Sequence, residues 1–186
     1  MPTARRRRPA PRVPRILHKY RELALETGAE QAKLVPASSV VTAEWVLLKC
    51  RFGCPGYNKR LTCPPYTPTP EQTRRVLSEY RYALVYSYRG HHAKPARRRM
   101  QRQLASLERT AFLDGLYKAL GFGAGPCRLC AECDTSSRCR HPYQSRPSME
   151  SCGIDVYATC RNAGIRLEVA QSEHDEPTYV HLLLLD

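Results

Sequence analysis

The sequence predicts one α/β or α+β domain over residues 15–186: a small mixed sheet with flanking helices and cysteine-rich loops. Three observations lead there. Segments of helical and of strand periodicity follow one another along the chain. No segment recurs at a solenoid period. The chain's 186 residues, 42% of them hydrophobic, supply one modest core, with 15 prolines and ten glycines for irregular connections.

The elements follow in order. Arg15–Glu26 places Ile16, Leu17, Tyr20, Leu23 and Ala24 at helical spacing, ending near Gly28. Lys33–Val35 is at best a strand stub, because Pro36 cannot donate to a ladder. Ser39–Leu48 fits either a helix or a strand, with Trp45, Val46, Leu47 and Leu48 as core candidates. Thr69-Pro70-Glu71-Gln72 is a helix start, with Thr69 as N-cap, Pro70 first in the helix and Gln72 as the reciprocal cap. That helix is expected to reach about Tyr80, followed by an aromatic-rich strand over Tyr82–Tyr88.

Pro95–Leu120 predicts a long amphipathic helix with Met100, Leu104, Leu107, Ala111 and Leu116 inward, closed by Gly121–Gly125. Residues 126–147 form a loop with four cysteines. Ser148–Asn162 reads as one broken helix or two short ones, interrupted at Gly153 and stopped by Gly164. Strands are expected over Ile165–Ala170 and Thr178–Leu185.

Charge is concentrated. The net charge is +13, and fourteen of the 30 basic residues lie in residues 1–21 and 89–102, neither of which contains an acid. Residues 1–14, rich in Arg and Pro, are expected to be a disordered basic arm. Arg5–Arg8 and the Arg97–Arg102 helix face offer phosphate contacts to nucleic acid. No aromatic residue interleaves with the arm to stack on bases, which favours a solvated tail there. The longest apolar run, Tyr82–Tyr86, is far short of the ~20 residues a membrane span needs. No apolar stretch of signal length follows the basic N-terminus, so a cytoplasmic protein without membrane contact is expected.

Nine cysteines at this density in a reducing compartment are more often metal ligands than disulfide partners. Cys50-x3-Cys54-x8-Cys63 forms one group and Cys127-x2-Cys130-x2-Cys133-x5-Cys139 a second, with Cys152 and Cys160 beyond. Tetrahedral zinc is usually held by two separated Cys pairs, and a third thiol two residues past a Cys-x2-Cys crowds a single ion. A cubane offers several irons, so Cys-x2-Cys-x2-Cys can serve three corners with a distant Cys on the fourth. The ferredoxin run begins the same way but spaces its last Cys differently. Backbone N–H groups at Gly53, Gly56, Gly121, Gly123 and Gly125 are candidate donors to the sulfurs, against the plainer reading that these glycines make turns.

The thiols divide as Cys50, Cys54 and Cys63 on one centre and Cys127, Cys130 and Cys133 on another. Cys139 and Cys152 supply the fourth ligands in an order the spacing leaves open, and Cys160 is a small buried residue. His141 beside Cys139 keeps a Cys3His zinc site in view. His91-His92 reads as an exposed pair, and His18, His174 and His181 as surface or core residues. No phosphate-binding loop, nucleophile elbow or His-Glu-x-x-His is present, so the sequence assigns no catalytic residue.

Lys49 to Tyr57, Cys63 to Pro70, Gly123 to Cys130, Cys139 to Pro142 and Arg146 to Val156 together resemble a bacterial and methanogen family of predicted metal-binding proteins built on a domain of unknown function. The resemblance spans most of residues 40–170. It implies the same eight ligands, Cys50, Cys54, Cys63, Cys127, Cys130, Cys133, Cys139 and Cys152, and leaves Cys160 and the arm outside its pattern. It supplies no reaction. The expected function is a metal-binding protein with one or two [4Fe-4S] clusters, serving electron transfer to a redox partner protein. The alternative is a zinc-stapled module that binds nucleic acid.

Overall fold

A computed structural model describes residues 13–90, 93–172 and 174–186. The basic arm, apart from Val13 and Pro14, and the His91-His92 pair lie outside the described residues. Five helices, α1 (Arg15–Glu26), α2 (Glu44–Gly53), α3 (Pro70–Ser78), α4 (Lys94–Leu113) and α5 (Val156–Ala163), accompany four strands, β1 (Gln31–Pro36), β2 (Tyr82–Arg89), β3 (Leu120–Phe122) and β4 (Thr178–Leu185).

The strands form one sheet in the order β1-β2-β4-β3. The α+β alternative therefore holds. The expected mixed sheet is antiparallel in all its pairings, and a parallel bridge from Gly123 to Ser148 lies outside it. Alternation along the two central strands makes two cores. Leu84, Tyr86, Tyr88, Leu183 and Leu185 face Leu17, Tyr20, Met100, Leu104 and Leu107 of α1 and α4. Ala83, Val85, Val180, Leu182 and Leu184 face the opposite layer, which holds Met149, Cys152, Ile154 and Cys160. Cys152 and Cys160 thus pack on this second face of the sheet.

Four expectations change. β1 is a six-residue edge strand rather than a stub, paired from Gln31 to Pro36, and Pro36 closes it where no further donor is needed. In α2 only Val46 is buried among the four core candidates, and Trp45 and Leu48 are exposed. α4 ends at Leu113, where Gly115 takes φ +96, so Leu120 begins β3 instead of ending the helix. Residues 165–170 form no strand. Their backbone is held at Arg166 by the Gln31 side chain, which accepts from the Arg166 N–H and donates to its carbonyl.

The start of α3 matches the sequence. The Thr69 hydroxyl accepts from the Gln72 N–H at 3.2 Å, and the Gln72 side chain accepts from the Thr69 N–H at 2.8 Å. Thr69→Ala is expected to cost about 1 kcal/mol of stability in urea denaturation. It should leave metal content unchanged, since the cap touches no sulfur.

Candidate metal centre

Two long-range seams assemble the site. Thr42 bridges Ile154, the Ala43 N–H donates to the Gly153 carbonyl at 2.8 Å, and the Asp155 N–H donates to the Val41 carbonyl at 2.8 Å. These bonds lay the start of α2 along the 3-10 turn Glu150–Cys152, which brings Cys50 on α2 towards Cys152. In the second seam the Gly123 N–H donates to the Pro147 carbonyl and the Met149 N–H to the Gly123 carbonyl. It places residues 124–127, the start of the second thiol loop, beside the same turn.

Contacts from α3 and the loop before it hold that turn. Thr73 Oγ1 donates to the Cys152 carbonyl at 2.7 Å and Thr67 Oγ1 to the Ser151 carbonyl at 2.6 Å. Gly153 has φ +73, and a Cβ there would meet Pro70 Cγ at 2.4 Å, so only glycine allows α3 this close.

Four sulfurs are neighbours here. Burial pushes the Cys50 thiol up to about 11, with Cys54 and Glu150 adding to it. Burial likewise raises Cys63 to about 11, with Cys54 and Cys50 adding and Arg60 and a Thr62 hydrogen bond opposing. Cys152 reaches about 12 through burial; Glu150, Cys50 and Cys63 add to it, and a Ser151 hydrogen bond opposes. A Cβ built on Gly56 would stand 3.5 Å from Cys54 Sγ and 3.8 Å from Cys63 Sγ, and the Gly56 N–H donates to Cys54 Sγ at 3.4 Å. Gly56 therefore leaves open the space beside two sulfurs and turns a backbone donor to one of them. Cys50, Cys54 and Cys63 border a cleft of about 530 Å³ whose other walls include Val46, Ile154, Tyr157 and Val180.

The geometry puts Cys152 with Cys50, Cys54 and Cys63, a pairing the spacing left open. Cys127, Cys130, Cys133 and Cys139 remain on one half-buried loop. Cys139 Sγ accepts from the His141 N–H at 3.4 Å and lies 3.3 Å from Ser145 Oγ. The loops adjoin: Pro126 Cβ is 3.5 Å from the same Gly56 position, and Arg60 donates to the Cys130 carbonyl at 3.5 Å. Among the described residues no group of three or more His, Cys, Asp or Glu side chains stands ready to hold a metal ion. The sulfurs are thus neighbours without being closed around one point. Cys160, buried in α5, has its thiol raised to about 12 by burial and, secondarily, Asp155.

The glycine expectation holds at Gly56 alone. Positions 121 and 123 face Leu104 of α4, with a Cβ at Gly121 only 2.8 Å from Leu104 Cδ1, so they let the helix approach β3. Gly53 and Gly125 border open space. Sequence reasoning missed Arg60 and Glu150. Burial raises the Glu150 carboxyl above its usual range, against hydrogen bonds from its own backbone, Ser148 and the Gly125 N–H, and its Oε2 has no partner. Nothing in local spacing marked either residue, because each acts across a long-range seam.

Residues 33–185 match the family described as predicted metal-binding protein, DUF2284. The chain belongs to that family. No curated protein and no solved structure matches it. The DUF2284 match covers all nine cysteines and leaves the basic arm outside. No helix among the described residues of this DUF2284 protein is long and apolar enough to cross a membrane.

The raised thiols carry a pH dependence. Their folded values of about 11 to 12 exceed the ordinary 9.0, so the metal-free folded state holds protons that the unfolded chain releases first. Stability of the chelator-treated protein is expected to be intact below pH 9 and to fall as pH rises towards 11. Denaturation midpoints on either side of pH 9 check this.

Proposed function

We propose that the protein is an iron–sulfur protein with two cluster sites. Cys50, Cys54, Cys63 and Cys152 would hold one [4Fe-4S] cluster, and Cys127, Cys130, Cys133 and Cys139 the second. The carrying observation is that Cys50, Cys54 and Cys63, from α2 and the loop after it, border a cleft of about 530 Å³, with the buried Cys152 of the Glu150–Cys152 turn as electrostatic neighbour of Cys50 and Cys63. The donor set fits the group. Four thiolates with a backbone N–H to sulfur and the Arg60 cation nearby suit an anionic sulfur-bridged core. When bound, such a cluster supplies one-electron transfer.

The chain's own residues orient and shield it. Thr73 and Thr67 fix the Cys152 turn, and the buried Val46 and Ile154 give the cleft apolar walls. α2, which carries Cys50, exposes Trp45, Leu48 and Phe52 at helical spacing, with Phe52 79% exposed. That apolar stripe beside the centre supports docking of a redox partner protein, with electron transfer as the activity.

Anaerobic purification followed by iron and acid-labile sulfide analysis tests the reading. About eight irons per chain are expected for two cubanes. A colourless protein with stoichiometric zinc, retained on nucleic acid in a salt-dependent way, would replace it with the zinc-stapled module.

A further inference from the structure

Arginines on this surface that have an acidic neighbour use it. Arg146, for example, pairs with Glu108, which also accepts from the Gly121 N–H. Arg97 and Arg128 differ. Among the described residues neither side chain makes an ion pair, and the Nε of each is shut off from solvent with no hydrogen-bond partner. They nonetheless sit close together. Both line one small pocket, and no acidic side chain among the described residues lines it with them.

The backbone holds this crowding in place. The Arg128 N–H donates to Gln101 Oε1 of α4 at 3.0 Å, and Arg98 donates to the Arg128 carbonyl at 3.0 Å. Arg97, Arg128 and Arg146 border a small pocket with Gln101, Tyr179 and His181. Like charges gathered with donors turned away from water require either a counter-anion or a continuing electrostatic penalty.

We infer that Arg97 and Arg128 form a binding site for a phosphoryl group, carried by free phosphate or by a small phosphomonoester. Two observations set the chemistry. The guanidinium is a planar fork that matches phosphoryl oxygens bidentately. Two cations without an acidic partner call for a dianion more than for a single carboxylate. The buried Nε atoms argue for a small ligand, since a nucleic-acid backbone would meet exposed arginines such as Arg98, Arg99 and Arg102 instead. The site does not rest on the metal reading: it uses no sulfur and holds whichever metal the thiols take.

The test is calorimetric titration of the full chain, with its metal as purified, using inorganic phosphate and glycerol 3-phosphate, alongside phosphorus NMR of the same samples. Saturable binding at one site per chain is expected, weakened roughly tenfold or more by Arg97→Gln or Arg128→Gln and unchanged by Arg102→Gln. Equal affinities would identify free phosphate as the source, and preference for the ester a phosphorylated small molecule; both support the site. Absence of saturable binding in the wild-type chain overturns the proposal, so misfolding of a variant cannot protect it. Binding that survives both substitutions overturns it, as does retention of an oligonucleotide without phosphate binding. Loss of metal from Arg128→Gln with no phosphate binding in the wild type would give these arginines to the thiolate centre instead.

Discussion

Cys152→Ser is expected to remove about half of the bound metal, while Cys160→Ser keeps all of it. The two positions form a matched pair. Both thiols are buried, at 0% and 1% exposure, both belong to the same apolar cluster, and burial raises both to about 12. Placing a hydroxyl at either costs about 1–3 kcal/mol in packing and desolvation. Only Cys152 has Cys50 and Cys63 as electrostatic neighbours. Metal content measured on the two purified variants separates ligation from packing. Equal loss from both would show that the Cys50–Cys54–Cys63–Cys152 grouping is not the ligand set.

Gly153→Ala is expected to destabilise the protein by about 2–5 kcal/mol. Two costs add at this position. A left-handed backbone penalises a Cβ by about 1–2 kcal/mol, and overpacking adds about 1–3 kcal/mol. The overpacking is against Pro70, whose Cγ, Cβ and Cα would lie 2.4, 2.8 and 3.0 Å from the new methyl. Pro70 begins α3, so the strain reaches both Thr73, which holds the Cys152 carbonyl, and the Thr69 cap. The metal of the first centre should therefore be lost more readily to a chelator. Gly164→Ala is the control: it also has positive φ, but a Cβ there meets open space. It should cost only the backbone share, as denaturant midpoints of the two variants would show.

Much of the fold was legible because local chemistry and tertiary packing agree. The spacing of Leu17, Tyr20 and Ala24 specifies α1, the Thr69–Gln72 box starts α3, and alternation in β2 and β4 divides the two cores. The misread segments are those where two local signals coincide. Leu116 and Leu120 continue the α4 period, yet Gly115 breaks the backbone before them. Trp45-Val46-Leu47-Leu48 looks like core, but on a helix packed along one side only Val46 points inward. The eight thiols were visible in the sequence, and their grouping was not. Cys152 joins Cys50 through a bridge between Thr42 and Ile154, more than a hundred residues apart, which no spacing rule encodes. Arg60, Arg128 and Glu150 escaped notice for the same reason.

X-ray absorption at the metal edge, on the anaerobically purified full chain, tests most directly whether these thiols surround a cluster. The account predicts an iron edge with a sulfur-only first shell and iron–iron backscattering, with amplitude about halved in Cys152→Ser. A zinc edge with a mononuclear shell, or an iron signal indifferent to Cys152→Ser, would contradict it.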